Sequence, residues 1–389
     1  MLHDLAIVGA GPVGATLALA VADAGLDVVV LDARAVGEIA RGDRSLALSH
    51  GARLIFERLG VWSALASFPD AATPITAIDI SQAGGFGLAR LTAAESELPA
   101  LGYVVRYRAL QAALDAAMAR SAVTVRHGVA VAAVGGTPAY AAVECADDPG
   151  SGGRASILAR LAAVADGTGA SVAGLARHRH DYGQVAVVAQ AEPAVPHGGV
   201  AFERFTPEGP VALLPEGDRY GLVWTTTPAG AQELLALSEE EFLARISTYL
   251  APRAIRLVRA VNRRTFPLLL EFARTTVGAR TVVLGNAAQT LHPVAGQGFN
   301  MGLRDAFELG RAIVDAPRET IGTRTMLERY ARGRLADRWG GIAFTHGLVH
   351  LFANDHALVR WPRGFALALL DALPPAKRAF TRSMMFGLR

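Results

Sequence analysis

Residues 5–32 limit the possible folds more than any other stretch of this chain. Residues 5–8 (LAIV) are apolar and read as a buried strand. Gly9, Gly11 and Gly14 follow at once, with Pro12 and Val13 between them, and 15–24 reads as a helix closed by Gly25. A second apolar run, 28–31, ends at Asp32. Strand, GxGxxG, helix, strand and acid in that order describe a βαβ unit with a dinucleotide fingerprint. The first glycine permits the tight turn, the second lets a pyrophosphate approach the backbone, and the third lets helix and strand pack closely. Asp32 is placed to accept hydrogen bonds from a ribose. An ordinary tight βα turn uses the same spacing, so a second element must decide between the two readings.

That element is 281–305, TVVLGNAAQTLHPVAGQGFNMGLRD. Residues 281–284 are β-branched and apolar, a short strand ended by Gly285. A loop runs through His292 and Pro293 to Gly296 and Gly298, and from Phe299 the pattern turns helical, with Met301, Leu303, Phe307 and Leu309 on one side. A glycine turn entering a helix points free backbone N–H groups and the positive end of a dipole at an electron-rich ligand.

With 389 residues the chain can hold two domains. Of its 38 basic residues only Lys377 is lysine, and no run of basic residues resembles a nucleic-acid-binding tail. The lone cysteine, Cys145, excludes an internal disulfide and a cysteine-based metal cluster and fits a reducing compartment. Residues 5–22 carry only Thr16 as a polar side chain, yet glycines and Pro12 interrupt them, and His3 and Asp4 are not a signal-peptide start. A cytoplasmic chain, soluble or peripherally attached to the inner face of the membrane, is expected.

Further along, Arg44 lies in a polar loop, 41–48, that runs into a helix ending near Gly60. Residues 73–90 alternate around Gly84 and Gly85 as a hairpin. A strand at 103–108 leads into a helix at 109–120, strands are expected at 123–134, 141–144 and 156–164, and 147–153 is a turn-rich insertion. Asp166 and Gly167 close the last of these strands in a turn. From 182 to 227 the texture is all-β, the face of a second domain able to roof a ligand. Ser238 and Glu241 form a capping box for a helix to about 250, and 266–268 returns the chain to the first domain. The expected architecture is α/β: a discontinuous nucleotide-binding domain (1–72, 100–175, 270–340), a β-sheet-based substrate domain (73–99, 176–269) and an apolar helical segment (341–389).

Taken together, these motifs resemble the class A flavoprotein aromatic hydroxylases, which have the p-hydroxybenzoate hydroxylase fold. RFTPEGPVALLP at 204–215, DRSLALSHGARLIFERLGVW at 43–62 and the 285–305 segment look specifically like the ubiquinone-biosynthesis hydroxylases, the type acting on 2-polyprenyl-6-methoxyphenol. The resemblance runs over essentially the whole chain. It implies an FAD-binding domain of the glutathione reductase type, with Gly9, Gly11 and Gly14 (and Pro12 and Val13) at the pyrophosphate and Asp32 at the adenosine ribose. It places Arg44 and Arg108 on the phosphate and ribityl side, and Asp166 and Gly167 in a second motif shared by FAD and NAD(P)H. Asn286 falls at the ribityl chain or the pyrophosphate region, and His292, Pro293, Gly296, Gln297 and Gly298 along the isoalloxazine edge, with Phe299 and Asn300 opening the helix. The class has aspartate where this chain has Asn286, whose neutral amide accepts and donates but carries no charge. It also tends to have arginine after the Asp-Gly turn, where Val172 and Ala173 stand here.

The implied reaction is hydroxylation of a polyprenylated phenol with dioxygen through a hydroperoxyflavin, with NAD(P)H visiting as donor, since no second GxGxxG offers a separate nicotinamide domain. Rival readings are the same chemistry on another ring position or a small soluble aromatic, and a flavin-binding subunit of a ubiquinone-biosynthesis complex with no hydroxylase activity. No base is assignable; the loop around His292 favours a structural role. His178 and His180 read as a solvated strand edge, and His346 and His350, one helical turn apart, lack an evident third ligand, so no metal site is expected. Residues 361–370, with Trp361, Phe365, Leu367, Leu369 and Leu370, either cover the core or form a surface for membrane or partner.

Overall fold

A computed structural model describes residues 1–38, 44–148, 153–167, 170–250, 253–352 and 357–388. The start of the 41–48 loop and parts of the 147–153 insertion and of the segment after Gly167 lie outside the described residues.

Strand Leu2–Val8 pairs in parallel with Val28–Asp32 on one side and with Gly153–Val164 on the other. Alternation sends Leu5 and Ile7 to one face, and Ala6 and Val8 to the other. On the first face the helices Pro12–Ala20, Tyr107–Ala119 and Gln297–Val314 cover the sheet through Leu17, Leu114 and Leu303. On the second lies a meander of Ala130–Gly136, Ala141–Asp148 and Gly153–Val164, with Cys145 in its core. Thr281–Val283 joins this nine-stranded sheet beside Gly153–Val164, so the loop after it opens at the same edge as the fingerprint.

The eight-stranded sheet runs in the order Gln289–Thr290, Leu257–Ala273, Arg177–Pro193, Arg219–Thr226, Gly209–Glu216, Val200–Thr206, Ala77–Gln82 and Leu88–Thr92. Helices Pro228–Ala236 and Glu239–Leu250 pack against Trp224 on its back, leaving its front to face the glycine loop. The capping box forms: Glu241 N–H donates to Ser238 Oγ (3.2 Å), and Ser238 N–H donates to Glu241 Oε2 (2.8 Å).

Several local expectations are corrected. Residues Ser45–Ser49 are a strand, paired antiparallel with Gly102–Arg106 in a small third sheet, before the helix His50–Arg58. Asn300 holds that strand in place by taking the Ser49 N–H (2.8 Å) and donating to the Ala47 carbonyl (2.9 Å). A pairing partner so distant in sequence overrides local preference. Residues 266–268 do not return to the first domain, because Leu257–Ala273 is one 17-residue strand bonded along its length to Arg177–Pro193. The 123–134 segment is two strands, Thr124–His127 and Ala130–Gly136, and Pro228–Ala236 is an additional helix. The C-terminal helices begin earlier than 341: they are Arg324–Phe352, Ala357–Ala372 and Pro374–Phe386.

A buried ion-pair lattice ties these parts together. Arg304 grips Asp337 through Nε (2.7 Å) and Nη2 (3.1 Å), and Arg334 bonds Asp305 (2.7 Å) and Asp337. Gln289 donates to Asp305 (3.0 Å), and Arg338 bridges Gln289 Oε1 (3.0 Å) to the Ala273 carbonyl. Burial alone would raise the Asp337 carboxyl; Arg304 and Arg334 outweigh it and hold the group below the ordinary carboxylate value. Breaking a buried pair strands its partner's charge. Asp337→Asn should therefore cost about 3–5 kcal/mol in denaturant unfolding, and an unchanged midpoint would show the lattice to be dispensable.

Candidate functional site

The fingerprint loop is built by close approaches. A Cβ on Gly9 would lie 2.7 Å from Asp166 Cα, and φ there is +96°, so only glycine lets the Asp166–Gly167 turn dock on the loop. A Cβ on Gly14 would strike the Gly9 carbonyl at 1.9 Å. Gly11 is different: a Cβ there meets nothing within 4 Å, and it caps helix Pro12–Ala20 without a side-chain bond. The helix start is therefore left open for an anion. Val13 packs against Gly285, joining the two glycine loops.

Acceptors surround this cradle. Asp32 is buried; Arg34 holds its Oδ2 through Nε (2.8 Å) and Nη2 (2.6 Å), while among the described residues Oδ1 takes only the Arg34 backbone N–H (3.1 Å) and keeps acceptor capacity. Asp166 Oδ2 takes the Ala170 N–H (2.6 Å), and its Oδ1 is buried with no partner among the described residues. Gln111 donates to the Ala10 carbonyl (2.8 Å), and its Oε1 is likewise buried and unsatisfied. Buried acceptors without donors call for a ligand rich in hydroxyls beside a phosphate cradle, which is what FAD offers. These residues fit it. Arg44, stacked 4.7 Å from the Tyr107 ring centroid, borders the cavity described next; Arg108 is exposed on the first turn of its helix and does not.

A cavity of about 460 Å³ separates the glycine loop from the front of the eight-stranded sheet. His292, Pro293, Gly296, Gln297, Gly298, Phe299, Asn300 and Asn286 all border it. Ala295 and Gly296 take consecutive left-handed conformations (φ 60° and 59°), which turn the chain so that helix Gln297–Val314 starts at the cavity, two residues earlier than Phe299. Gly296 caps it without a side chain, so the first N–H groups point outward. Asn286 is exposed and makes no hydrogen bond among the described residues. Asn300, by contrast, spends its amide on Ser49, Ala47 and Gly296 and serves as a clamp.

His292 is 1% exposed, and burial lowers its pKa to about 4. Val294 N–H donates to Nδ1 (3.1 Å), which places the proton of the neutral ring on Nε2, a buried atom with no partner among the described residues. His292 is therefore a hydrogen-bond donor at this wall and not a proton acceptor at neutral pH.

A second cavity of about 250 Å³ abuts the first and shares Ile78, Glu203, Val294, Ala295, Gln297 and Met384 with it. Its other walls are mostly apolar, among them Leu348 and Phe352 of the long helix and Leu367 and Leu370 of Ala357–Ala372, with the buried Arg363 as the charged exception. At the junction stands Glu203, with Oε1 buried and without a partner among the described residues. Burial alone raises its pKa to about 7. Sequence reasoning missed it: alternation puts this acid between Ala201 and Phe205 on one side of a strand, but only the fold turns that side to a cavity. Arg34 and Gln111 were missed for want of any motif. Strand Arg177–Pro193 is interior to its sheet, not an edge, and His180 meets the His346–His350 pair.

This geometry defines a flavoprotein of the p-hydroxybenzoate hydroxylase fold, with p-nitrophenol 4-monooxygenase from Pseudomonas putida superposing at a TM-score of 0.77 over 100% of this chain and 99% of the other, at 17% identity. The FAD binding domain family model matches residues 3–345. A ubiquinone hydroxylase, UbiL, of Rhodospirillum rubrum is 34% identical, covering 99% of this chain and 90% of its own. The 3-demethoxyubiquinol 3-hydroxylase of Escherichia coli is 31% identical, covering 96% of each. The chain belongs to this FAD-binding family, among its ubiquinone hydroxylases, and is an FAD-dependent aromatic-ring monooxygenase.

The last two glycines of the fingerprint separate folding from cofactor binding. Gly11→Ala should unfold at the wild-type temperature as apoprotein and bind FAD at least about tenfold more weakly, because its methyl occupies only the cradle. Gly14→Ala should fail to give soluble protein. Flavin absorbance per chain and circular-dichroism melting check both, and a fully flavinated Gly11→Ala protein would refute the cradle.

Proposed function

We propose that this enzyme hydroxylates the ring of a polyprenylated phenol in ubiquinone biosynthesis, the 2-polyprenyl-6-methoxyphenol type being the substrate. The observation that carries this reading is the pair of abutting chambers: one polar enough for a phenol beside the cofactor loop, the other mostly apolar, and between them an acid with a buried oxygen unpartnered among the described residues. A small soluble aromatic leaves the apolar chamber without a purpose. The names of the relatives from R. rubrum and E. coli support the pathway.

FAD bound along residues 9–14, 32, 166–167 and 286–300 supplies the oxygen-transfer chemistry with dioxygen and a reduced nicotinamide donor. The chain's own residues position and discharge the substrate. N–H groups at the start of helix Gln297–Val314 offer fixed donors to negative charge on the flavin edge. His292 Nε2–H gives a neutral donor in the same wall. Glu203 accepts the phenolic proton, which raises the ring's electron density for attack on an electrophilic oxygen; its pKa near 7 suits a general base at neutral pH. Being acceptor-competent only when ionised, Glu203 makes hydroxylation rise as pH rises through about 7.

Helix Ala357–Ala372 links chamber and exterior. Leu367 and Leu370 line the chamber, while Trp361 (70% exposed), Phe365 (62%) and Leu369 (44%) face outward at helical spacing. No described helix is long and apolar enough to cross a membrane. We read the outward stripe as a peripheral contact with the cytoplasmic face of a bilayer, from which a prenylated substrate enters.

Lipid-quinone profiling of a deletion strain tests the pathway: a prenylated phenol lacking one ring hydroxyl should accumulate, and normal ubiquinone would overturn the assignment. Glu203→Gln should cut hydroxylation by about 10²-fold or more, leave reduction of the flavin intact, and divert oxygen to peroxide; unimpaired hydroxylation would remove Glu203 from the mechanism. In flotation with anionic phospholipid vesicles, the Trp361→Ser, Phe365→Ser double variant should stay at the bottom while the wild type rises. Equal flotation would leave the stripe without a lipid role.

A further inference from the structure

His346 and His350 project from one side of helix Arg324–Phe352 as an i, i+4 pair, with ring centroids 4.3 Å apart. Strand Arg177–Pro193 brings His180 onto them, at 5.4 Å from His346 and 5.9 Å from His350. One ring nitrogen from each of the three lies within 4.8 Å of the others. Zinc–imidazole bonds of about 2.0–2.1 Å place tetrahedral ligands roughly 3.3 Å apart, so small side-chain rotations close the set. His180 and His346 are half-buried and His350 is exposed, which leaves the fourth position to water.

The surroundings fit ligation. The Tyr182 hydroxyl lies 3.1 Å from His346 Nδ1; in the Nδ1–H tautomer it accepts that proton and leaves Nε2 for an ion, as orienting partners of metal-bound histidines do. Among the described residues the three imidazoles are grouped with neither carboxylate nor thiolate, a set that suits borderline first-row ions and not magnesium or calcium.

We propose that His180, His346 and His350 bind one divalent transition-metal ion of the zinc class, which fastens the long C-terminal helix to the substrate sheet. The site lies behind the flavin wall, since the Tyr182 ring packs edge-on against His292 at 5.5 Å. This inference does not depend on the identity of the organic substrate.

The test uses untagged full-length protein titrated with zinc against a chromophoric chelator, together with melting with and without the ion. The expected result is one equivalent bound, a higher melting temperature with zinc, and loss of both in His350→Ala, whose exposed position spares the fold. Tyr182→Phe should retain the site with affinity reduced about tenfold. His178→Ala, on the same strand but outside the cluster, should behave as wild type. Absence of stoichiometric binding, or binding undiminished in His350→Ala and His180→Ala alike, would overturn the proposal.

Discussion

Everything near the cofactor loop is referred to the buried lattice of Arg304, Asp305, Arg334 and Asp337. Arg304 and Asp305 sit on the helix whose first turn forms the cavity wall, so their partners fix the aim of that turn. Through Gln289 and Arg338 the same lattice reaches the end of strand Leu257–Ala273, and thereby the sheet that forms the opposite wall. Charges in a dry interior interact strongly but are costly to strip of water. Paired apolar residues could supply comparable stability; the ionic version sets direction, since each guanidinium fork accepts its carboxylate in few orientations.

The placement of acids around the site follows one logic. Asp337 is matched by arginines, which hold it below the ordinary carboxylate value, so its charge is spent on architecture, while Arg34 occupies one oxygen of Asp32. Glu203 has no such partner among the described residues, and its charge depends on what enters the cavity. A protein interior rarely leaves a carboxyl in that condition unless a ligand completes it.

Much of the nucleotide half was legible in the sequence because its constraints are local: glycines at fixed spacing, an alternating strand, an acid at its end. The 285–305 loop was legible for the same reason, down to the glycines at its turn. What escaped depended on contacts between distant residues. Ser45–Ser49 is a strand because Asn300, some 250 positions later, clamps it. His180 joins His346 only when sheet and helix meet, and Glu203 shows itself as a site residue only once its strand faces a cavity. Asp166 could be read as a turn residue from its neighbours, but its unsatisfied oxygen could not.

The two-faced helix Ala357–Ala372 has a thermodynamic consequence. A prenyl tail withdrawn into water would lose roughly 0.8 kcal/mol per methylene-sized group, about 4 kcal/mol for each five-carbon unit. Passing from acyl chains to a chamber lined by leucine, phenylalanine and methionine exchanges one apolar medium for another and nearly cancels that loss. Discrimination then rests with the ring and its hydroxyl, while the number of isoprene units becomes almost irrelevant to partitioning. Such an enzyme would accept whatever chain length its membrane contains.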